Sequence, residues 1–144
     1  MATIHTYLNF DGNCEKAFLF YKAIFGGEFT FLSYFKDMPD TEEYKVIEAD
    51  ENKIMHVSLP IGNSILMGSD TVSQTENQFK QGNNFSLSIT AETKLEADTL
   101  YQRLSVSGKQ IMPLEDTFWG DYFGTLVDQF GVSWMISYNK NQNN

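Results

Sequence analysis

The sequence predicts an α+β protein built from two successive βαβββ modules. Short segments in which polar and apolar residues alternate are typical of strands with one buried face. Two other segments carry apolar residues at every third or fourth position, which is typical of amphipathic helices. The order of one strand, one helix and three strands occurs twice within the 144 residues. Such an internal repeat indicates two copies of one structural unit.

The composition is that of a folded, acidic protein. Hydrophobic residues make up 42% of the chain and aromatic residues 15%, which suffices for a sizeable core. Nineteen acidic and ten basic residues give a net charge of −9, which disfavours nucleic acid and anionic membranes as partners. The single cysteine excludes an intramolecular disulfide. Without a signal peptide or a membrane-spanning segment in the sequence, we expect a cytoplasmic location.

The first module is predicted over residues 1–70. It begins with a strand over Ile4–Phe10 and a helix that starts at Cys14, with Asn13 as its N-cap. Gly26 and Gly27 are expected to end this helix, because glycine tolerates a left-handed backbone. An aromatic-rich strand over Glu28–Phe35 and a charged excursion over 36–52 follow. A hairpin joined by Gly62 and Asn63 completes the module, with strands over Ile54–Ile61 and Ser64–Gly68.

The second module is predicted over residues 84–138, after a polar linker at 71–83. Its first strand covers Phe85–Ile89, and its helix has the reciprocal capping pair Thr93 and Glu96 and ends at Gly108. Three further strands are predicted over Gln110–Leu114, Phe123–Asp128 and Val132–Tyr138. The polar tail at 139–144 is expected to fray. We expect the two modules to form a single domain over residues 1–144.

Three segments carry a resemblance to a known family. They read YLNFDGNCEKAFLFYKAIFGGE near the start, LMGSD after the first hairpin and DTFWGDYFGTLVDQFGVSWMI near the end. These segments are similar to the PhnB-like branch of the vicinal oxygen chelate superfamily, which includes glyoxalases, bleomycin-resistance proteins and dioxygenases. The resemblance covers nearly the whole chain. It implies a curved, cup-like mixed sheet with helices on the outside, a small-molecule ligand in the cup and a homodimer.

The branch is often labelled demethylubiquinone methyltransferase-like, but the sequence argues against methyl transfer. An adenosyl cofactor usually binds at a glycine-rich turn between a strand and a helix of a larger α/β sheet. No such glycine pattern occurs in this chain. Membership of a fold family does not by itself establish an activity.

Metal-dependent members of the superfamily place one ligand on the first and on the last strand of each module. His5 stands where the glyoxalase-type motif carries its ligand histidine. At the other three positions, strand alternation offers Met67 or Ser69, Ser86 or Ser88, and Met135 or Ser137. Because divalent cations prefer imidazole and carboxylate ligands, we expect neither a metal nor another cofactor. A metal site formed by His5, His56 and Glu115 would require a different strand register.

The resulting prediction is a cup that binds a small organic ligand and has no assigned catalytic residue. Its lining mixes aromatic surface with a few polar groups, which suits an aromatic or amphiphilic ligand. The predicted ligand-binding residues are His5, Tyr7, His56, Met67, Ser86, Glu115, Trp119, Phe123 and Met135. Two alternatives remain open. One is a metal-dependent lyase, isomerase or dioxygenase that uses His5, and the other is a structural dimer whose cup is filled by its own side chains.

Two further residues are interpreted as structural. Cys14 opens the apolar stripe of the first helix, so we expect a small buried side chain rather than a nucleophile. Asp128 precedes a glycine-containing turn, where a carboxylate commonly accepts backbone hydrogen bonds.

Overall fold

A computed structural model describes residues 1–73 and 79–141 of the chain. It divides the chain into two compact units, Met1–Lys80 and Gln81–Asn144. Among the described residues, each unit contains four strands and one α-helix in the order βαβββ. The predicted α+β fold with paired βαβββ modules is therefore confirmed. No helix in the described ranges has the length and apolar character needed to cross a membrane.

Unit 1 forms a four-stranded mixed sheet with the strand order β1-β4-β3-β2. The first strand runs parallel to β4, and the other two neighbouring pairs are antiparallel. The excursion at 36–52 contains two short 3-10 turns, Phe35–Asp37 and Glu48–Asp50. The elements are β1 (Thr6–Phe10), α1 (Cys14–Phe25), β2 (Phe31–Tyr34), β3 (Ile54–Ile61) and β4 (Ser64–Asp70).

Helix α1 covers one face of the unit 1 sheet. Its Phe18 ring lies edge-on to the rings of Phe10, at 6.1 Å, and Tyr21, at 5.7 Å. Gly68 of β4 makes this packing possible, because a Cβ at that position would lie 2.5 Å from the Phe18 ring. The buried core of this unit consists mainly of Leu8, Phe10, Cys14, Ala17, Phe18, Tyr21, Ile54, Val57, Leu59 and Leu66.

Asp70, at the end of β4, joins three parts of unit 1. Its carboxylate is only 5% exposed. One oxygen accepts hydrogen bonds from the backbone N–H groups of Gly12, at 2.9 Å, and Cys14, at 3.0 Å. The other accepts from the N–H of Ile54 at 2.9 Å. Because free N–H groups and the helix dipole favour an anion at a helix N-terminus, Asp70 caps α1. The predicted N-cap Asn13 makes no side-chain capping bond.

Unit 2 repeats this plan with the strand order β5-β8-β7-β6. Again the first strand runs parallel to the last, and the other pairs are antiparallel. Helix α2 packs against β7 and β8 and buries Ala97, Leu100, Tyr101 and Leu104. The elements are β5 (Leu87–Thr90), α2 (Lys94–Leu104), β6 (Lys109–Asp116), β7 (Asp121–Val127) and β8 (Ser133–Asn139).

Asp128 has the turn role that the sequence predicts. Its carboxylate accepts hydrogen bonds from the backbone N–H groups of Phe130 and Val132, at 2.8 and 3.0 Å. It also accepts a hydrogen bond from the indole Nε1 of the buried Trp134 at 2.8 Å. One carboxylate therefore shapes the β7–β8 turn and anchors the largest core side chain of β8.

The first strand of unit 2 is shorter than predicted. Strand β5 begins at Leu87, so Phe85 and Ser86 precede it and are exposed, Phe85 by 55%. The backbone groups of Val132, just before β8, are already engaged with Asp128. Strand β8 itself starts only at Ser133, and the parallel pairing of β5 with β8 begins at Leu87 and Trp134.

Helix α2 also ends earlier than predicted, at Leu104 rather than at Gly108. The hydroxyl of Ser105 donates to the carbonyl oxygen of Tyr101 at 2.6 Å, which closes the last turn. Gly108 serves packing instead, because a Cβ there would lie 2.3 Å from the Val127 carbonyl oxygen. At the other end, Thr93 accepts from the N–H of Glu96 as predicted, whereas the Glu96 carboxylate accepts from Glu92 rather than from Thr93.

The outer strands β2 and β6 have irregular registers. Strand β2 is confined to Phe31–Tyr34, and its pairing with β3 shifts between Ser33 and Tyr34. Strand β6 shifts twice against β7, between Gln110 and Met112 and between Met112 and Glu115. Regular alternation would put Ile54 and His56 of β3 on the same face. At the shift between β2 and β3, however, Ile54 lies in the core and His56 lies on the opposite face. Residues 74–78 of the predicted linker and residues 142–144 of the tail lie outside the described residues.

Replacing Asp70 with asparagine should destabilise the protein by about 2–4 kcal/mol, because an amide cannot accept all three backbone hydrogen bonds. Urea unfolding at pH 7 measures this loss. Asp11→Asn is the matched control, since it removes the same charge from an exposed side chain next to Phe10, the residue that pairs with Asp70. Equal stability of the two variants would contradict the capping role of Asp70.

Tyr122 of β7 offers a pH-dependent test of the contact between helix and sheet. Its hydroxyl donates to Asp98 of α2 at 2.5 Å, and the Lys94 ammonium lies 4.8 Å from its ring centre. The hydrogen bond to Asp98, together with burial, raises the pKa of Tyr122 to about 12. The protonated phenol is therefore favoured more strongly in the folded state than in the unfolded one.

Tyr122→Phe should cost about 1 kcal/mol of stability near neutral pH. A raised folded-state pKa contributes stability below the ordinary tyrosine value, and that contribution is lost as the pH rises through 10 towards 12. The difference between wild type and variant should therefore shrink over this range in urea unfolding. Tyr44→Phe, whose ring lies outside the helix–sheet contact, should show no such trend. A constant difference from pH 8 to pH 12 would refute the assignment.

Candidate functional site

The face of the unit 1 sheet that α1 leaves uncovered, called here the open face, carries a row of side chains. Tyr7 of β1 pairs with Met67 of β4, Met67 pairs with Ser58 of β3, and Ser58 pairs with Phe31 of β2. His56 lies two residues before Ser58 on the same face, opposite Ser33. Three of the sequence-predicted site residues, Tyr7, His56 and Met67, thus share this face.

His56 is held by hydroxyl groups and aromatic rings. Its Nδ1 lies 3.2 Å from the Tyr7 hydroxyl and its Nε2 lies 2.8 Å from the Ser58 hydroxyl. The centres of the Phe31 and Tyr7 rings lie 5.4 and 5.6 Å from the imidazole. Both ring nitrogens therefore have partners, and the imidazole orientation is defined from several sides.

Ser33 adds an unused polar group beside His56. The residue is only 8% exposed, and its hydroxyl has no hydrogen-bond partner within the described part of the chain. Leaving a buried hydroxyl unpaired costs about 1–3 kcal/mol. Ser33 was not among the site residues predicted from the sequence, although strand alternation places it on the same face as Phe31.

His5 is not part of this cluster. It lies just before β1 and is exposed, and His56 is bonded to Tyr7 and Ser58 instead. Across residues 1–73 and 79–141, no group of three or more His, Cys, Asp or Glu side chains is placed to hold a metal ion. Of the three residues in the shifted-register metal hypothesis, His5 and His56 belong to unit 1 and Glu115 to unit 2.

Unit 2 carries a second aromatic group on the face that α2 leaves uncovered. Glu115 of β6 pairs with Phe123 of β7, and the ring of Trp119 lies 5.8 Å from that of Phe123. The indole Nε1 of Trp119 donates to Asp121 at 3.1 Å, which holds the half-exposed ring. Met135 lies on the same face of β8, opposite Thr125, whereas Ser86 falls outside β5.

Cys14 has the environment of a structural thiol. Its side chain is fully buried at the start of α1. Burial is the largest cause of a strongly raised thiol pKa, and the negative charges of Asp70 and Glu15 add to it. A thiol that stays protonated is a poor nucleophile, so the structural interpretation of Cys14 is supported.

Comparison with known proteins assigns the chain to a family. The family described as 3-demethylubiquinone-9 3-methyltransferase matches residues 2–137. The protein PA1353 from Pseudomonas aeruginosa is 34% identical, with a TM-score of 0.82 over 96% of this chain and 98% of that one. Protein YjdN of Escherichia coli K12 is 29% identical over 94% of this chain and 95% of its own length.

A third relative is the PhnB protein from Bacillus cereus, described as a putative 3-demethylubiquinone-9 3-methyltransferase. It is 28% identical, with a TM-score of 0.74 over 95% of this chain and 99% of that one. Two solved structures named as glyoxalase/bleomycin resistance/dioxygenase proteins share the fold at TM-scores of 0.58 and 0.66, with 17% and 13% identity. These findings confirm the PhnB-like resemblance and the superfamily fold.

The burial of Cys14 leads to a chemical prediction. In the native protein its reaction with a disulfide reagent such as dithionitrobenzoate should be at least about a hundredfold slower than in 8 M urea, because reaction requires opening of the α1 region. Absorbance at 412 nm follows both rates. Rapid labelling of the native protein, at the rate of a small free thiol, would contradict the burial and revive a nucleophilic role.

Proposed function

We propose that this chain, which belongs to the PhnB-like 3-demethylubiquinone-9 3-methyltransferase family of the vicinal oxygen chelate superfamily, binds a small organic molecule on the open face of unit 1. The observation that carries the proposal is the His56 cluster, in which polar groups and exposed aromatic rings converge. The bound molecule is expected to be aromatic or amphiphilic and to need no metal.

Exposed ring surface supports the proposal. Phe31 is 50% exposed and Tyr7 is 44% exposed, and their rings flank the His56 imidazole. Aromatic rings lose much unfavourable contact with water when a flat apolar group covers them. Ligand sites commonly combine such apolar surface with a small number of oriented polar groups.

The polar groups of the cluster supply the orientation. His56, Ser58 and Tyr7 are linked by hydrogen bonds, and Ser33 adds the buried hydroxyl without a partner. A ligand atom that bonds to Ser33 would recover the energy that this unpaired group costs. The donor chemistry of the face, with one imidazole beside hydroxyl and thioether groups, favours an organic ligand over a divalent cation.

The predicted residues of unit 2 extend the proposal. Glu115, Trp119, Phe123 and Met135 present a second mixed aromatic and polar surface. Trp119 is half-exposed, whereas Trp134 is buried, so the two indoles should emit at different wavelengths. The exposed indole of Trp119 emits at the longer wavelength. A change in that emission when a compound is added would indicate that the compound contacts Trp119.

The sequence-based expectations of a homodimer and a cytoplasmic location also belong to this proposal. The family resemblance supports the dimer. Light scattering coupled to gel filtration measures the mass directly, and a monomer at every concentration would remove the dimer from the proposal. Methyl transfer is not part of it, because the chain lacks the glycine-rich cofactor turn described above.

Screening the full chain against small aromatic and amphiphilic compounds should raise its melting temperature. A ligand at a hundred times its dissociation constant stabilises the folded state by about 2.7 kcal/mol, which corresponds to a rise of several degrees. Phe31→Ala should weaken the response by at least about tenfold in concentration. Leu95→Ala, which truncates an exposed apolar residue on α2, is the matched control and should leave the response unchanged.

Two outcomes would overturn the proposal. One is a broad library that produces no shift in the wild-type protein. The other is retention of about one nickel, zinc, manganese or iron ion per chain after desalting, lost in His5→Ala, which would support the metal-dependent lyase, isomerase or dioxygenase instead. Metal analysis should use protein purified without a histidine tag, because a tag would itself retain these ions.

A further inference from the structure

We infer that the molecule bound on the open face of unit 1 is an aromatic carboxylate, and that its binding is accompanied by uptake of a proton by the His56 cluster. The inference rests on the proposed function, since it names the ligand class of the same site. It follows from a count of hydrogen-bond donors, from the absence of acidic side chains on this face and from the arrangement of the rings.

The hydroxyl partners of His56 leave donors free. When the imidazole is neutral, one nitrogen donates and the other accepts. Only one of the Tyr7 and Ser58 hydroxyls therefore donates a hydrogen bond to the ring. The other hydroxyl receives a hydrogen bond from the ring and keeps its own hydrogen. This holds for either tautomer, because both nitrogens face hydroxyl oxygens at 3.2 and 2.8 Å.

Protonation of the imidazole increases this number. Both nitrogens then donate, so both hydroxyls accept and both of their hydrogens become available. The hydroxyl of Ser33 is buried, and it becomes a further donor in either state when its side chain turns towards the ligand. The cluster therefore has two hydrogen-bond donors for a ligand when His56 is neutral and three when it is charged. A ligand with several acceptor lone pairs can use all of them.

Among the described strand residues of this face there is no acidic side chain, although the chain carries nineteen acidic residues. From the register, its side chains on the four strands are neutral apart from His56, and they include Tyr7, Asn9, Phe31, Ser33, Ser58, Met67 and Ser69. The strand residues that face His56 are Tyr7 from β1, Phe31 and Ser33 from β2, and Met67 and Ser69 from β4. Tyr7 is the only titratable group among them.

Two acidic residues of unit 1 have partners at α1 rather than on the open face. Asp70 is engaged with backbone N–H groups at the start of α1, and Glu15 of α1 accepts a short hydrogen bond from Tyr34. An anion on the open face thus meets donors rather than a neighbouring carboxylate. A bound negative charge favours the protonated imidazole, so proton uptake should accompany binding.

The rings determine that the anion is aromatic. Phe31 and Tyr7 stand on two sides of His56 with tilted ring planes, at interplanar angles of 58° and 38° to the imidazole. A flat apolar body can lie against their exposed surfaces while its carboxylate reaches the hydroxyl groups. Charge-assisted hydrogen bonds from several donors then distinguish a carboxylate from a neutral ligand of the same shape.

Three compounds of one shape test the ligand class: 2-naphthoate, 2-naphthamide and 2-naphthylmethylamine. Isothermal titration calorimetry of the full chain at pH 7 should give the tightest binding for naphthoate, with naphthamide weaker by about tenfold or more and the amine weaker still. Equal or tighter binding of the amide or the amine would overturn the inference but leave the proposed function standing. If none of the three compounds binds and the library screen also finds no ligand, both the inference and the proposed function are overturned.

Proton uptake is measured by repeating the naphthoate titration in phosphate and in Tris, whose ionisation enthalpies differ strongly. Wild type should take up a fraction of a proton per ligand, and His56→Gln should take up none and bind about tenfold more weakly. Ser33→Ala should weaken naphthoate binding while proton uptake persists. Ser64→Ala, which removes an exposed hydroxyl at the start of β4, should match wild type.

The His56→Gln and Ser33→Ala variants also show whether each side chain contacts the ligand or only supports the structure of the face. If His56→Gln lowers the affinity for naphthoate and naphthamide equally, His56 only supports the face and the inference is wrong. Identical binding enthalpies of the wild-type protein in the two buffers would also overturn the proton-coupled part. Urea unfolding of each variant establishes that a loss of binding is not a loss of folding.

Discussion

A single carboxylate controls the geometry of unit 1. Asp70 binds the loop before α1, the first turn of α1 and the first residue of β3, so it places the helix relative to the sheet. That placement decides which face of the sheet is covered and which is left open. His56, Ser33 and Phe31 lie on the face opposite the buried acid that anchors the helix.

Much of the fold was predictable because its signals are local. Alternation along β4 and β8, along β1 from Thr6 and along β3 from Val57 correctly separated the core residues from those on the other face. The helical spacing from Cys14 to Tyr21 located α1. The errors concern contacts between distant residues. Asn13 was predicted to cap α1, but the capping group comes from Asp70, 56 residues beyond Cys14. Likewise, the start of β5 depends on where its pairing with the distant strand β8 begins, at Leu87 and Trp134.

Some features of the candidate site also follow from local sequence, whereas others depend on contacts between distant residues. Tyr7, His56 and Met67 follow from strand phase, and so does the face of Ser33. That the buried hydroxyl of Ser33 has no partner among the described residues depends on packing that local sequence does not reveal. His5 was selected by resemblance to a metal-ligand position, yet it precedes the strand and does not contact His56. The family description names a methyltransferase, but fold membership leaves the chemistry to the side chains on the sheet. In this chain those side chains are hydroxyls, rings and one central imidazole.

The register shifts in β2 and β6 have a consequence for solubility. Each of these strands forms one of the two edges of its sheet, and a regular edge strand can pair with the same strand of another molecule and start a fibril. Bulges twist such a strand and misalign its free N–H and C=O groups. In β6, Pro113 also removes one N–H donor, and the charged ends Lys109 and Asp116 oppose close stacking of identical chains. The irregularities thus disfavour strand pairing between molecules at one edge of each sheet.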